Sequence, residues 1–162
     1  DSFVNGFEEG DQRRIKWIKE VTDGTTVWYH AFKYKTFENT GASVEYSILF
    51  RTAEQYLIRA EARAKQGDLM GAAEDLNRIR NEAGLQNTTA TTATELRAAI
   101  IKERRAEMFS EGHRFFDLKR TQLLNEVLVP TKPGWDTNDQ LFPIPETELL
   151  LNPNLNPQNP GY

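Results

Sequence analysis

The sequence ERRAEMFSEGHRFFDLKR occupies residues 103–120, and its first half continues a helical pattern. At about 100° per residue, Glu103 and Glu107 project from the same side of that helix as Leu96 and Ile100. This side should face a core, where an unpaired carboxylate costs several kcal/mol. The sequence therefore predicts that cations neutralise these acids. The cations expected to do so are Arg104, Arg105, Arg114 and Arg120.

Two roles are open for this charged stretch. The first is structural, because arginine is always charged, suits fixed ion pairs, and matches the acids almost one for one. The predicted structural ion network comprises Glu103, Arg104, Glu107, Glu111, Arg114 and Asp117. The second role is general acid and base catalysis by Glu103, Glu107, Glu111 and Asp117. Within this set Glu103 and Glu107, one helical turn apart, could serve as the pair of a glycoside hydrolase. No nucleophile with an adjacent base accompanies them, which favours the structural role.

Several ordered motifs in the chain resemble one family. Glu103 to Arg120 resembles the C-terminal signature of the SusD/RagB family, the surface glycan-binding lipoproteins of Bacteroidetes outer membranes. The other motifs are Arg51-Thr52-Ala53-Glu54, Ala60-Glu61-Ala62, Phe142-Pro143-Ile144-Pro145 and Gln158-Asn159-Pro160-Gly161-Tyr162, with a weaker similarity at Asp11, Arg13 and Lys33-Tyr34. The chain is therefore identified as resembling the C-terminal portion of such a protein.

The resemblance implies a non-enzymatic function. Such proteins bind a polysaccharide or oligosaccharide at the cell surface and act with a TonB-dependent transporter of the SusC type in glycan uptake. The resemblance also implies a lipid anchor, which we expect to lie outside this chain because the chain contains no cysteine. It implies no cofactor, and much of the glycan contact is expected from loops outside these residues.

Composition limits the other function classes. The 162 residues carry a net charge of −4, which argues against a nucleic-acid partner. The absence of cysteine excludes disulfides and thiolate metal sites. Two histidines, far apart in sequence, offer no metal-ligand spacing. Asp136, Asn138 and Asp139 supply oxygens of a calcium-binding kind, but the glycine and final glutamate of a calcium loop are missing, so we predict a solvated turn.

Helical periodicity predicts a mainly all-α fold. One helix is predicted over residues 49–66, ending at Gly67, and a second is capped by Asp68 and stops before Gly84. This pair resembles a tetratricopeptide (TPR) unit, except that Arg59 and Arg63 replace bulky apolar groups. A single TPR-like hairpin also leaves open an adaptor that binds a protein or peptide.

The remaining elements are predicted from local patterns. Thr92 and Glu95 predict a capping box for the helix that ends near Gly112. Short helices are predicted over 12–21 and 114–124, the latter burying Phe115, Phe116 and Leu118; a strand is predicted over 25–37, a loop over 38–47 and an extended tail over 152–162. We divide the chain into a strand-containing segment, residues 1–50, and a helical region, residues 51–162.

Four aromatic residues are candidates for contact with a sugar. Sugar rings stack on flat apolar faces that have hydrogen-bonding groups around them. Trp28, Tyr29, Tyr34 and Trp135 lie in or beside non-helical segments, from which side chains can project. The alternative is that they belong to the core, where large aromatic residues are usually found. No catalytic residue and no metal ligand is predicted.

Overall fold

The structure is a computed structural model, and it describes residues 3–36, 41, 44–46 and 48–162. Two compact units are present, Asp1–Gly112 and His113–Tyr162. Seven α-helices and two short strands lie in the described residues, so the predicted mainly α-helical class is confirmed. The division of the chain between residues 50 and 51 was predicted from the family motifs, whereas the two compact units divide after Gly112. The predicted division stays a prediction.

The first unit is built around a helical hairpin. Its elements are α1 (Gln12–Trp17), β1 (Ile18–Thr22), β2 (Val27–Ala31), α2 (Thr52–Gln66), α3 (Leu69–Glu82) and α4 (Ala93–Glu107). Gly67 ends α2 with φ +86°, a left-handed conformation that glycine adopts without steric cost, and the Asp68 side chain accepts a hydrogen bond from the Gly71 N–H. The predicted TPR-like hairpin is therefore present.

The core of this unit lies where α2, α3 and α4 meet. Its buried residues are Leu57, Ala60, Ala64, Ala72, Leu76, Ile79, Leu96 and Ile100. Alanines on both hairpin helices allow close approach, while the leucines and isoleucines fill the space between them. Helix α4 begins with the predicted capping box, in which Thr92 accepts from the Glu95 N–H and Glu95 accepts from the Thr92 N–H.

The two arginines that depart from the tetratricopeptide pattern share one partner on α3. Arg59 donates two hydrogen bonds to the Asp75 carboxylate, at 2.8 and 2.7 Å. Arg63 donates to the same carboxylate at 2.9 Å and to the Gly71 carbonyl at 3.1 Å. Asp75 is buried, so a charged bridge joins the two helices where repeats of this kind usually use apolar contact.

The N-terminal part of the first unit differs from the prediction. The helix predicted over 12–21 ends at Trp17, and the chain continues as β1, which pairs antiparallel with β2 in the register Ile18↔Ala31 to Thr22↔Val27. The β-branched residues at 18, 21 and 22 suit a strand, and pairing with β2 overrides the helical spacing. The strand predicted over 25–37 is present but stops at Ala31.

Helix α2 begins at Thr52 rather than at Leu49. Arg51, immediately before it, has an extended backbone, with φ −122° and ψ +135°. Leu49 and Phe50 are highly exposed, so no core contact draws them into the helix. The loop predicted over residues 38–47 lies largely outside the described residues.

The second unit contains three short helices, α5 (His113–Arg120), α6 (Leu124–Leu128) and α7 (Glu146–Leu151). The helix predicted over 114–124 is interrupted at Gln122, which has a positive φ of 62°. Leu118 is buried as predicted and Phe115 is half-buried, but Phe116 is 65% exposed, so its predicted burial is wrong. Phe115 and Phe116 are adjacent on a short helix, and only one of them can face inward.

The C-terminal tail is not extended throughout. Within the predicted tail, residues 152–162, a 3-10 turn covers Pro153–Leu155. Helix α7 lies just before this tail and follows Pro145, because proline is tolerated at a helix start. The last residues then fold back within this unit: Gln158 makes hydrogen bonds to the backbone N–H and carbonyl of Ile144, and the Tyr162 hydroxyl donates to the Leu141 carbonyl. Among the described helices of both units, none is long and apolar enough to span a membrane.

Candidate functional site

The acids of α4 lie where their helical spacing predicted. Glu103 and Glu107 are only 3% and 6% exposed, on the same buried side as Leu96 and Ile100. Each carboxylate has lost most of its hydration, so its ionised form depends on cations nearby. This set of buried charges, with the partners described below, is called the α4 charge cluster.

Arg13 is the central cation of the α4 charge cluster. Its guanidinium donates to Asp11 at 2.9 and 2.7 Å, and one nitrogen lies 2.7 Å from Glu103 and 3.1 Å from Glu107. Burial alone would lower the pKa of Arg13, but the hydrogen bonds to Asp11 and the negative charges of Glu103 and Asp11 raise it. One arginine near the start of the chain thus neutralises acids on a helix about ninety residues later.

A second group of cations meets the end of α4. Arg51 is paired with both Glu107 and Glu111, and it also donates to the Glu107 carbonyl at 3.0 Å. Lys33 donates to the same carbonyl at 2.7 Å and is paired with Glu111. Burial lowers the pKa of Lys33, while the ion pair with Glu111 opposes that effect. Lys33 and Arg51 thus provide hydrogen bonds to the Glu107 carbonyl, which has no partner within the helix because it lies at the end of α4.

The cluster extends to α3 through Arg80. Arg80 donates to Glu8 at 3.0 and 2.8 Å and to Glu103 at 3.2 Å. Lys102 on α4 also donates to Glu8, at 2.9 Å. The hydrogen bonds from Arg80 and Lys102 lower the pKa of Glu8 from 4.5 to about 2.

The Glu8 pKa gives a pH-dependent stability. Because the folded-state pKa lies below the unfolded value, this contribution is present above about pH 4.5 and is lost as the pH falls towards about 2. Replacing Glu8 by glutamine should therefore destabilise the chain near neutral pH and have little effect near pH 2. Since Glu8 is partly exposed, we expect a loss of about 1 kcal/mol or less, measured by urea unfolding.

Glu9 provides the control for Glu8. It is exposed and has no ion pair among the described residues. Glu9→Gln makes the same chemical change one residue away and should leave the pH dependence unaltered. Equal effects of the two variants at every pH would contradict the assignment to Glu8.

The ion-pair partners of Glu103 and Glu107 are not the four arginines that the sequence predicted. Arg104 is buried and lies 3.7 Å from Glu54, Arg105 lies over the ring of Phe3, and Arg120 donates to Asp117 within the second unit. The partners missed by sequence spacing are Arg13, Lys33, Arg51 and Arg80. Arg13, Lys33 and Arg51 belong to the motifs that resemble the family, but no spacing rule connected them with Glu103 or Glu107. No sequence pattern pointed to Arg80.

The predicted network therefore divides between the two units. Glu103, Arg104, Glu107 and Glu111 belong to the first unit, whereas Arg114 and Asp117 lie on α5 of the second. Asp117 is buried and holds Arg120 at 2.8 Å. A structural role for all six residues stays a prediction.

The candidate residues Trp28 and Tyr29 are neighbours on β2 and so point to opposite faces of the hairpin. Trp28 pairs with Val21, and both side chains are about half exposed, at 50% and 53%. On the same face, Lys19 pairs with His30. This hairpin face, formed by Lys19, Val21, Trp28 and His30, combines an exposed indole with polar groups. Tyr29, on the other face, has the Arg14 guanidinium 4.9 Å from its ring centroid.

The other two aromatic candidates make specific contacts. Tyr34 is exposed, and its hydroxyl accepts a hydrogen bond from the Ile48 N–H at 3.1 Å. Trp135, in the second unit, donates its indole N–H to Asn125 at 3.0 Å and packs edge-on to Phe115. Lys132 lies 5.2 Å from the Trp135 ring centroid. Trp135 is therefore held in place more firmly than Trp28.

A cleft of about 450 Å³ lies between α1, α2 and α3 of the first unit. Trp17 and Tyr56 form aromatic walls, and Ile79 and Ala83 add apolar surface. Polar side chains also line this α1–α2–α3 cleft, and they include Gln12, Lys16, Arg78 and Glu82. The sequence did not point to this cleft, because its walls come from three segments far apart in the chain.

The oxygen-rich turn at residues 136–139 uses its side chains locally. Asp136 accepts from the Asn138 N–H at 2.8 Å, and Asp139 accepts from the Asp136 N–H at 2.8 Å. The two acids thus cap a short 3-10 turn, as expected for a solvated turn. No group of three or more metal-ligating side chains occurs in the part of the chain that the structure describes.

Comparisons with known proteins identify relatives along nearly the whole chain. The model of the SusD family matches residues 4–162. The chain is 39% identical over 129 residues to SusD-like protein P2 of Formosa agariphila, covering 71% of this chain and 26% of that protein. It is 32% identical to the starch-binding protein SusD of Bacteroides thetaiotaomicron, covering 98% of this chain and 27% of that protein. The chain thus spans about a quarter of the length of these relatives.

A solved structure supports the same relationship. The crystal structure of a SusD homolog from Bacteroides thetaiotaomicron superposes with a TM-score of 0.75 at 29% identity, covering 99% of this chain and 37% of that one. The match extends over both compact units, and the resemblance seen in the sequence motifs is confirmed. The chain therefore belongs to the SusD/RagB family.

Proposed function

We propose that this chain is part of a non-enzymatic nutrient-binding protein that binds a polysaccharide or oligosaccharide at the bacterial outer-membrane surface. The observation that carries the proposal is the family match over residues 4–162, together with a relative named for starch binding. Binding would rest on stacking and hydrogen bonding without covalent chemistry. A polymer that presents many equivalent sites raises the overall affinity of such weak contacts.

Burial of the α4 acids argues against the glycoside hydrolase alternative. Glu103 and Glu107 are both covered and both held by Arg13, so a polysaccharide would have no access to them together. Glu107 borders the α1–α2–α3 cleft, whereas Glu103 borders a different, smaller cleft. A glycosidase needs its two carboxyl groups on either side of one scissile bond. We therefore assign these residues to holding the segments of the first unit together.

Trp28 is the sugar-stacking residue that we favour among the four aromatic candidates. Its indole is half exposed on a hairpin face that also carries Lys19 and His30. An apolar ring face bordered by hydrogen-bonding groups is the arrangement that sugars recognise. Tyr29 and Trp135 are less exposed than Trp28, whereas Tyr34 is as exposed as Trp28 but its hydroxyl is already bonded to the Ile48 N–H.

Affinity electrophoresis tests the glycan-binding proposal. The chain is run through native gels that contain starch or other polysaccharides, beside the starch-binding protein SusD of Bacteroides thetaiotaomicron as the reference for starch. We expect at least one polysaccharide to retard the chain, and we expect Trp28→Ala to reduce that retardation more than Trp135→Ala does. Retardation by no polysaccharide, with the reference protein retarded by starch, would count against glycan binding by these residues.

The proposed partner is a SusC-like TonB-dependent outer-membrane transporter, and the proposed membrane attachment is a lipid anchor outside this chain. The TPR-like hairpin of α2 and α3 supports a second candidate, an adaptor for a protein or peptide. Co-purification from the native host distinguishes them: a transporter should co-purify with a nutrient-binding protein, and a soluble protein with an adaptor. Recovery of a soluble partner alone would favour the adaptor.

A further inference from the structure

The α1–α2–α3 cleft has the size and walls of a ligand site. Its volume of about 450 Å³ lies within the range of small-molecule sites, about 300–1,000 Å³. Trp17 and Tyr56 are half-buried and contribute aromatic surface to the walls. The cleft is separate from the hairpin face that carries Trp28, because none of the four residues of that face lines it.

The charges around the cleft are unbalanced in favour of cations. Three basic residues line it, Arg13, Lys16 and Arg78, against two acids, Glu82 and Glu107. Arg13 is held by the α4 charge cluster, and Arg78 is paired with Glu82 at 2.9 Å. Lys16 is exposed and has no ion-pair partner among the described residues. An uncompensated ammonium group therefore stands beside aromatic walls.

We infer that the α1–α2–α3 cleft is a saccharide subsite selective for a sugar that bears a carboxylate, such as a hexuronate. The ring of the sugar packs against the walls formed by Trp17 and Tyr56, and its carboxylate pairs with Lys16. Gln12 and the Arg78–Glu82 pair supply hydrogen-bonding groups for hydroxyls. The inference rests on the proposed function and adds to it a second subsite with a defined ligand class.

Calorimetric titration with two matched sugars tests the selectivity. Trigalacturonate and galactotriose share the same ring stereochemistry and differ in the carboxylates. We expect trigalacturonate to bind about tenfold more tightly, as a charge-assisted contact allows, and Lys16→Glu to abolish that preference. Arg97→Glu is the matched control, because Arg97 is exposed on α4, does not line the cleft, and undergoes the same reversal of charge.

The three tryptophans locate the bound sugar. One lies in the cleft, one on the hairpin face and one in the second unit, so their indole N–H signals in a nitrogen–proton NMR spectrum report three separate places. We expect trigalacturonate to shift the Trp17 signal most. A preference that survives Lys16→Glu, or that Arg97→Glu removes equally, would overturn the inference, as would a shift confined to Trp28 or Trp135.

Failure of this subsite is distinguishable from failure of the proposed function. Should neither trisaccharide bind while a polysaccharide still retards the chain, the cleft is not a carboxylate-selective subsite, and glycan binding stands. Absence of retardation by any polysaccharide contradicts glycan binding by these residues, on which the subsite depends.

Discussion

Arg13→Ala should lower the free energy of unfolding by about 3–5 kcal/mol, the loss typical of a buried ion pair that is deprived of one partner. Arg13 is 4% exposed and contacts Asp11, Glu103 and Glu107. Its removal leaves three carboxylates crowded in a buried space with much less neutralising charge. Urea unfolding followed by circular dichroism measures the loss.

Arg14→Ala is the matched control for Arg13. Arg14 is the next residue in α1, and its ion pair with Glu20, at 3.5 Å, is much more exposed. Exposed pairs contribute little, so we expect a loss of about 1 kcal/mol or less. Similar losses for the two variants would mean that the α4 charge cluster does not stabilise the fold as its geometry indicates.

Leu57→Ala should cost about 2–5 kcal/mol, because it removes buried methyl groups and leaves a cavity between helices. Leu57 is fully buried on α2 and belongs to the core shared with α3 and α4. Surrounding alanines have no flexible side chains with which to fill the space. The loss is measured by the same urea unfolding.

Ile58→Ala provides the comparison on the same helix. Ile58 is adjacent to Leu57 but 49% exposed. Its replacement should cost about 1 kcal/mol or less, since little buried surface is lost. A loss at Ile58 as large as that at Leu57 would show that the outer face of α2 is covered in solution, contrary to the packing described above.

Sequence periodicity predicted the existence of the three long helices, although α2 begins at Thr52 rather than Leu49 and α4 ends at Glu107 rather than near Gly112. The helical periods of α2 and α3, the turn at Gly67 and Asp68, and the capping box of α4 involve residues a few positions apart, which local patterns report. The sequence also placed Glu103 and Glu107 on the buried side of α4, because that follows from the helical repeat alone. Elements whose stability comes from packing at a distance were less predictable.

The wrong sequence predictions concern segments whose structure depends on tertiary contacts or lies near the C-terminus. Residues 18–22 join a strand because β2 pairs with them, and a helical period cannot express that pairing. Helix α7 forms directly after Pro145, although the prolines at 143 and 145 were expected to stop regular helix. The partners of the α4 acids come from residues tens of positions away, so their identity depended on the fold rather than on spacing.

Long sequence separation gives the α4 charge cluster a particular place in the order of folding. The contact between Arg13 and Glu107 spans 94 residues, whereas Arg63 and Asp75 on the hairpin are 12 apart. Closing long loops is entropically costly, so we expect the hairpin to form before the α4 charge cluster does.

Arg13→Ala should then mainly accelerate unfolding and leave the refolding rate almost unchanged. A slower refolding rate in stopped-flow experiments would contradict this order. The α4 charge cluster would thereby determine the unfolding rate, and so the lifetime of the folded state, rather than the folding rate.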